Sequence, residues 1–323
     1  MSKISIITTT YNHQDFIADT IQSILNQSIS DRELLIGDDS PGDETWKIIQ
    51  KYTKKYPDKI KAWHHSPNKG IVENMNFLIN KISKESKYIA FLEGDDLREK
   101  DCLKSKLDIF DIYPKVQLVY NNLDFIDKHN NIIQKDIFGF RKIGTYQNTK
   151  ISPDTYVSAN VGPIISWSTA MVTRSMIDKY SITSLHPDSK TYSVSDYDFY
   201  FQVATNYPIY YIDKSLTLYR RHQSNLSASN PKLMEELSGL ITLYKEKKYI
   251  SNSIFSKKMS HNKLIQSIIY LENGNRKKSF EYLKKSLNYS FLNHFIMKIA
   301  VLKLICLPLF VSKFIFSKII KRG

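Results

Sequence analysis

Cysteine is scarce in this sequence, and long uninterrupted apolar segments are missing. Cys102 and Cys306 are the two cysteines among 323 residues, and neither has His or Cys neighbours at metal-ligand spacing. A disulfide framework and a zinc site are therefore not expected. The amino terminus also shows no apolar stretch of signal-peptide length, which predicts a cytoplasmic protein.

Negative charge is in the minority, with 32 acidic against 46 basic side chains and a net charge of +14. Such a balance favours an anionic partner: nucleic acid, an anionic membrane surface or a phosphorylated substrate. No nucleic-acid recognition motif is visible, and much of the positive charge falls beside apolar residues in the C-terminal third. No nucleic-acid partner is therefore expected.

Strand-like and helix-like patterns alternate over the first hundred residues. Apolar runs predict strands at 4–8, 33–37, 60–64 and 89–92, and helical spacing predicts helices at 16–25, 45–56 and 71–82. This alternation indicates parallel βαβ units and an α/β fold. Further strand-like segments lie at 116–120 and 166–174, and the pattern turns helical from about Leu233.

Polar clusters follow three of these predicted strands. They are Thr9 to Asn12, Asp38 with Asp39, and Glu93 to Asp96. Because ligands of open α/β sheets bind beyond the carboxyl ends of the strands, these clusters should converge on one crevice. Carboxylates there suit Mg²⁺ or Mn²⁺. The structural alternative is that the acids cap a helix beginning near Arg98.

Taken together, the motifs resemble those of a family 2 glycosyltransferase. They are ISIITTTYNHQDFIADTIQSILNQS, ELLIGDDSPGDET, NKGIVENMN, YIAFLEGDD, SVSDYDFY and YRRHQSNLS, in the family's order. The resemblance implies a GT-A fold, with a Rossmann-like, mostly parallel central sheet flanked by helices, here carrying a helical C-terminal extension. It also implies a hexosyltransferase-type enzyme that uses a nucleotide diphosphate sugar, with uridine as the default base, and a divalent metal, Mg²⁺ or Mn²⁺.

The resemblance assigns roles by position in the motifs. Asp95 and His222 would bind the metal, and Asp196 would be the catalytic base of an inverting transfer. The residues implied to hold the nucleotide sugar are Thr9, Thr10, Tyr11, Asp39, Lys69, Glu93, Arg220 and Arg221.

Several positions depart from the family's usual residues. Thr9, Ser40, Glu93, Met75 and Ser195 stand where the family commonly has Pro, Gly, Asp, Arg and Glu. Glu93 can still accept hydrogen bonds, and Lys69 can supply positive charge near Met75.

Three assignments keep alternatives. His222 can bind the metal, contact the diphosphate or be a satisfied structural histidine. Asp198 lies two residues from Asp196, and either acid can instead be a structural residue at a helix N-terminus. Trp167 can line a sugar pocket or belong to the core.

The C-terminal segment is apolar but interrupted by lysines. Its longest lysine-free stretch, 304–312, is well short of the roughly 20 apolar residues that span a membrane. A pair of basic helices in the membrane interface is one interpretation, and a helix docked on the protein's own core is the other. The predicted domains are a GT-A domain at 1–228, a helical extension at 229–292 and membrane-associating helices at 293–323.

These features predict a peripheral enzyme on the inner face of the cell membrane, acting on a polysaccharide or lipid-linked glycan. A nucleotidyltransferase is a competing class, but it would need a Gly-rich basic loop after the first strand, where Thr9 to Asn12 stand. A nonenzymatic module binding anionic membranes or nucleic acid is the other alternative.

Overall fold

The computed structural model describes residues 3–140, 146–158, 165–180, 182, 194–222 and 231–306. These residues fall into two compact units. The first unit comprises the described parts of Met1–Ser152 and Asn160–Asn225, and the second those of Pro153–Ala159 and Leu226–Gly323. The predicted domain boundary near 227–231 lies in a segment that is mostly outside the described residues.

The described strands all belong to one sheet of the first unit. They are β1 (Lys3–Thr10), β2 (Arg32–Asp38), β3 (Ile60–His64), β4 (Ser86–Phe91), β5 (Leu97–Arg98), β6 (Leu118–Ile126), β7 (Ile132–Gln134), β8 (Gln147–Thr149), β9 (Ala170–Thr173) and β10 (Ile209–Arg220).

The helices of the first unit flank this sheet or connect its strands, and the remaining helices build the second unit. The first set is α1 (Ile17–Leu25), α2 (Glu44–Lys55), α3 (Ile71–Ile79), α4 (Cys102–Ile112), α5 (Ile137–Phe140), α7 (Arg174–Lys179) and α8 (Ser195–Asn206). The second set is α6 (Pro153–Val157), α9 (Pro231–Glu246), α10 (Asn252–Glu272), α11 (Arg276–Tyr289) and α12 (Phe295–Cys306).

The strand order β3-β2-β1-β4-β9-β6-β10-β5 places β1 in the parallel half of the sheet. It pairs in parallel with β2 on one side and β4 on the other. The apolar face of α1 packs on this half, with Ile17, Ile21 and Ile24 buried against core residues of the strands. The predicted α/β architecture with a mostly parallel sheet is therefore confirmed.

The structure differs from the sequence-based prediction in three elements. The strand expected at 116–120 is β6, which begins at Leu118 and runs to Ile126. The segment predicted as a strand at 166–174 begins with a 3₁₀ turn, and its strand β9 is antiparallel to both neighbours. The helix expected near Arg98 begins only at Cys102, because Leu97 and Arg98 pair with β10 as β5.

Small residues and one lysine hold the second unit together. Ser260 and Ser267 of α10 donate to the Ser286 and Ser279 carbonyls of α11, at 2.9 and 2.7 Å. Lys298 of α12 is buried and donates from Nζ to the Ser260 hydroxyl (2.8 Å) and to the Ser286 and Ser290 carbonyls at the end of α11. A cation suits the C-terminus of a helix, where carbonyls lack intrahelical partners.

Helix α12 therefore docks through one face, where Val301 and Leu304 pack against Leu264 and Leu283. Its other face exposes large apolar side chains, which are Phe295, Ile296, Met297, Ile299 and Leu302. None of the helices in the described ranges is long and apolar enough to cross a membrane. Residues 307–323 of the predicted membrane-associating segment lie outside the described residues.

Candidate active site

The carboxyl end of β1 brings the polar clusters of the neighbouring strands together. The Thr9 carbonyl accepts a hydrogen bond from the Gly94 N–H, and the Thr10 carbonyl accepts one from the Asp39 N–H, both at 3.0 Å. The segments that follow β1, β2 and β4 therefore meet at one edge of the sheet. This confirms the convergence that the sequence predicts.

Gly94 allows the acidic turn, residues 93–96, to lie against β1. A Cβ atom at this position would come within 2.6 Å of Thr10 Cβ and 3.0 Å of His13 Nδ1. Any side chain would push the turn away from β1. The sequence Glu93-Gly94-Asp95-Asp96 thus combines acids with the one residue type that permits this close approach.

Asp95 lies between two histidines. His222 donates from Nε2 to Asp95 Oδ2 at 2.9 Å, and His13 Nε2 lies 3.9 Å from the same oxygen. Burial by itself raises the pKa of Asp95, but His13 and His222 outweigh that effect and hold the pKa below its usual value. Asp95 is therefore an ionised carboxylate, as a metal ligand must be.

The other two acids of the turn repel Asp95 and each other. Burial, followed by the charges of Asp95, Asp96 and Asp196, raises the pKa of Glu93 well above its ordinary value. Burial and the charge of Asp95 raise the pKa of Asp96 in the same way, although Asp96 accepts a hydrogen bond from the Arg220 N–H. Burial and mutual repulsion thus disfavour ionising all three acids at once in the metal-free fold.

The capping alternative for these acids does not fit the structure. Strand β5 separates them from α4, and the N-cap residue of that helix is Asp101, whose side chain makes no capping hydrogen bond. The acids instead line the end of β4.

Arg220 binds the backbone of the acidic turn. Its side chain is fully buried, donating from Nε to the Asp95 carbonyl (2.7 Å) and from Nη1 to the Asp127 carbonyl (3.0 Å). The guanidinium also lies over the Phe16 ring at 4.7 Å. The Arg220 guanidinium thus contacts the backbone of the acidic turn, and its predicted contact with the diphosphate stays a prediction. Arg221, in contrast, is exposed, with its guanidinium 5.2 Å from the Phe125 ring.

Of the residues implied to bind the nucleoside, Thr9 and Thr10 end β1 and Asp39 follows β2. Tyr11 is 49% exposed and follows β1 directly. Asp39 is buried, and its carboxylate accepts hydrogen bonds from the Lys69 N–H (3.2 Å) and the Gly70 N–H (2.8 Å). The Lys69 ammonium lies 5.7 Å from the centre of the Phe77 ring.

Asp196 and Asp198 differ in their surroundings on the first turn of α8. Asp198 accepts a hydrogen bond from Gln202 of its own helix, at 3.0 Å. Asp196 instead contributes to the raised pKa of Glu93, so its charge acts on the acidic turn. Trp167 is buried against Phe91 and Phe199, which favours the core interpretation of this tryptophan.

His13 is the site residue that the sequence analysis missed. Among the described residues, two groups of ligating side chains lie close enough together to hold a cation: His13 with Asp95 and His222, and Glu93 with Asp95 and Asp96. The sequence signal was present, because His13 follows β1 within the same YNH string as Tyr11. Both groups offer donor atoms that divalent metals accept, so the residues fit the predicted metal.

Sequence comparison finds relatives over part of the chain. TuaG of Bacillus subtilis (strain 168), whose name assigns it to teichuronic acid biosynthesis as a glycosyltransferase, is 35% identical over 105 residues. That match covers 32% of this chain and 40% of TuaG, so the chain spans about two fifths of that relative's length.

Solved structures resemble most of the chain. The 1–349 fragment of S. aureus TarS in complex with UDP-GlcNAc has a TM-score of 0.54 at 16% identity, covering 91% of this chain and 75% of the fragment. The mannosyltransferase PcManGT of Pyrobaculum calidifontis in complex with GDP-Man and Mn²⁺ has a TM-score of 0.58 at 12% identity. This similarity covers 99% of this chain and 85% of PcManGT. These similarities confirm the predicted GT-A fold.

The family model "Glycosyl transferase family 2" matches residues 5–181, a span that contains β2, β4, the acidic turn and all but the first two residues of β1. The chain belongs to glycosyl transferase family 2.

Proposed function

We propose that the chain is an inverting, metal-assisted glycosyltransferase that moves a sugar from a nucleotide diphosphate sugar, with uridine as the default base, to an acceptor hydroxyl. The observation that carries this proposal is the acidic turn beside the end of β1, where Asp95 lies between two histidines and Asp196 acts on Glu93. The family membership and a UDP-GlcNAc complex of a protein with the same fold support the donor class.

The proposed reaction needs one proton acceptor and a site for developing negative charge. The acceptor oxygen forms a bond to the anomeric carbon while the bond from that carbon to the diphosphate oxygen breaks, and the diphosphate leaves with the electron pair. Asp196 takes the hydroxyl proton. A divalent cation held by Asp95 and His222 would supply positive charge that stabilises the leaving diphosphate. Attack opposite to the leaving group inverts the anomeric carbon.

The other predicted residues take supporting roles in this proposal. Thr9, Thr10 and Tyr11 bind the nucleoside together with Asp39, and Glu93 lies beside the ribose. Lys69 and Arg221 supply positive charge toward the phosphates. Arg220 fixes the position of Asp95 through its hydrogen bond to the Asp95 carbonyl.

We further propose that the enzyme works on the cytoplasmic face of the membrane, on a polysaccharide or lipid-linked glycan. The exposed apolar side chains of α12 form a surface with neighbouring Phe291 and Leu292, which are 59% and 79% exposed. The sequence then continues to residue 323 with lysines and an arginine among aliphatic residues. Apolar contact combined with positive charge is the chemistry that binds anionic lipid.

Nucleotide binding should require both the cation and Asp95. In calorimetric titration of the full chain, UDP is expected to bind with Mn²⁺ present and at least about tenfold more weakly after chelation, because the cation offsets the repulsion between the acids and the diphosphate. Asp95→Ala should show the same weakening. Asp43→Ala, which removes an exposed acid just before α2, is the matched control and should bind like the wild type. Equally tight binding by Asp95→Ala would contradict the metal-assisted mechanism.

Turnover should depend on Asp196 but not on Asp198. Loss of the base in Asp196→Asn is expected to lower kcat by about 10² to 10⁴-fold while UDP binding is retained. The measurement is release of nucleoside diphosphate from whichever sugar donor supports the fastest release. Asp198→Asn is the control on the same helical turn, and an Asp196→Asn enzyme with wild-type kcat would exclude Asp196 as the base.

Removing one acid should stabilise the metal-free protein. The folded state raises the pKa of Glu93 above its ordinary value of 4.5, so ionising Glu93 costs folding free energy as the pH rises past that value. At neutral pH without divalent metal, Glu93→Gln should therefore raise Tm, by about 2–4 °C for each kcal/mol of repulsion relieved. The gain should shrink as the pH falls toward 4.5. A lower Tm at neutral pH would show that the charge of Glu93 is already compensated in the fold.

Vesicle binding should depend on the exposed face of α12. Ile296 is 84% exposed, and burying such a side chain in a lipid interface contributes about 1.5–3 kcal/mol. Co-sedimentation of Ile296→Asp with phosphatidylserine-containing vesicles should therefore fall by about tenfold or more. Ile112→Asp is the matched control, since Ile112 is 63% exposed on α4. Equal loss of binding in Ile296→Asp and Ile112→Asp would argue against this surface. So would wild-type binding to phosphatidylcholine vesicles that is as strong as its binding to the phosphatidylserine-containing vesicles.

A further inference from the structure

His13 has no role in the mechanism described above, although the fold holds it firmly at the site. Its carbonyl accepts hydrogen bonds from the Phe16 and Ile17 N–H groups at the start of α1, at 2.9 and 2.8 Å. The preceding residue, Asn12, has a left-handed φ of 55° and donates from its N–H to the Ser40 hydroxyl. The backbone on both sides of His13 is thus fixed, which fixes where its ring can lie.

The imidazole of His13 is poorly satisfied by the protein alone. Its Nδ1 atom is buried and has no hydrogen-bond partner among the residues that the structure describes. Its Nε2 atom is 3.9 Å from Asp95 Oδ2, too far for a hydrogen bond. Buried polar groups in folded proteins are normally paired, so a ring held in this way indicates a ligand that completes its surroundings.

The distances around Asp95 fit a shared cation. The ligating atoms of His13, Asp95 and His222 all lie within 4.8 Å of one another. With metal–ligand bonds of about 2.1 Å, two ligands of one ion are about 3 Å apart when adjacent and about 4.2 Å apart when opposite. A shift of well under an ångström in the histidine rings would bring all three atoms to one ion.

The geometry points to His13 as a third protein ligand of the divalent cation, completing a set of two imidazoles and one carboxylate that selects Mn²⁺ over Mg²⁺. This inference rests on the proposed function, since it concerns the cation that assists the transfer. Imidazole nitrogen suits transition metals, whereas Mg²⁺ prefers oxygen ligands.

The competing set is Glu93, Asp95 and Asp96, which offers oxygen ligands alone. Such a set would accept Mg²⁺ as readily as Mn²⁺ and would leave His13 uninvolved. Asp96 Oδ1 accepts a hydrogen bond from the Arg220 N–H at 2.8 Å, but Asp96 Oδ2, like His13 Nδ1, is buried without a hydrogen-bond partner among the described residues. The choice between the two sets therefore rests on the ligand type that each metal prefers. The two sets therefore make opposite predictions for histidine variants and for metal preference.

The test is the binding of Mn²⁺ and Mg²⁺ to the full chain, each measured with and without UDP. We expect Mn²⁺ to bind more tightly than Mg²⁺, and His13→Ala to weaken Mn²⁺ binding by at least about tenfold while changing Mg²⁺ binding less. His129→Ala is the matched control, because His129 is an exposed histidine of the same unit and should leave both affinities unchanged.

Pulsed electron paramagnetic resonance of the Mn²⁺-loaded wild type counts its nitrogen ligands without relying on any variant. Couplings of Mn²⁺ to the nitrogens of two imidazoles support the inference. In His13→Ala and in His222→Ala, the coupling to one imidazole should remain. A single imidazole that disappears only in His222→Ala would overturn it, as would unchanged Mn²⁺ affinity in a folded His13→Ala.

The outcomes also separate this inference from the proposed function. If the wild type binds UDP in a cation-dependent way, equally well with Mg²⁺ and Mn²⁺, the role of His13 fails and the proposed function stands. If the wild type shows two imidazole ligands to Mn²⁺ but no UDP binding under any condition, the metal set stands and the proposed function fails.

Discussion

Two carbonyl groups at the end of β1 fix the geometry on which the candidate site depends. The Thr9 carbonyl anchors the turn after β4, and the Thr10 carbonyl anchors the turn after β2. Because β1 lies between these two strands, it sets the distance between the acidic turn and the region around Asp39. A diphosphate that joins a nucleoside to a sugar would have to span that distance. The chain therefore builds its candidate donor site from backbone hydrogen bonds at one edge of a parallel sheet.

The fold places negative charge where it is costly. Glu93 and Asp96 both have raised pKa values because burial and their neighbours disfavour ionisation. The positive charge of Arg220 lowers the pKa of Asp96, but burial and the charge of Asp95 outweigh it. The Arg220 guanidinium also donates to the Asp95 and Asp127 carbonyls. Hydrogen bonds thus fix the backbone of the turn, Asp95 is ionised, and a bound cation would favour ionisation of the other two acids. Such preorganisation lowers stability locally and is typical of sites that must bind a metal ion.

The sequence predicts the elements whose signals are local. Periodicity identified β1 to β4 and α1 to α3, and the acids that follow the strands predicted the crevice. Long-range contacts could not be read in the same way. Arg220 bonds the carbonyl of Asp95, 125 residues away in the chain, so nothing near Arg220 reveals that it is buried. The ends of β6 and the antiparallel direction of β9 likewise depend on which strands pair across the sheet. His13 carried a local signal, but its relation to His222 exists only in the folded state.

The buried ammonium of Lys298 links three helices of the second unit, α10, α11 and α12. It satisfies carbonyls at the end of α11 and the hydroxyl of Ser260 on α10 while belonging to α12. Detaching α12 would therefore break hydrogen bonds to two other helices and remove the packing of Val301 and Leu304. We therefore expect α12 to unfold together with α10 and α11 rather than to fray independently. The exposed apolar surface of α12 is thus presented on a rigid support.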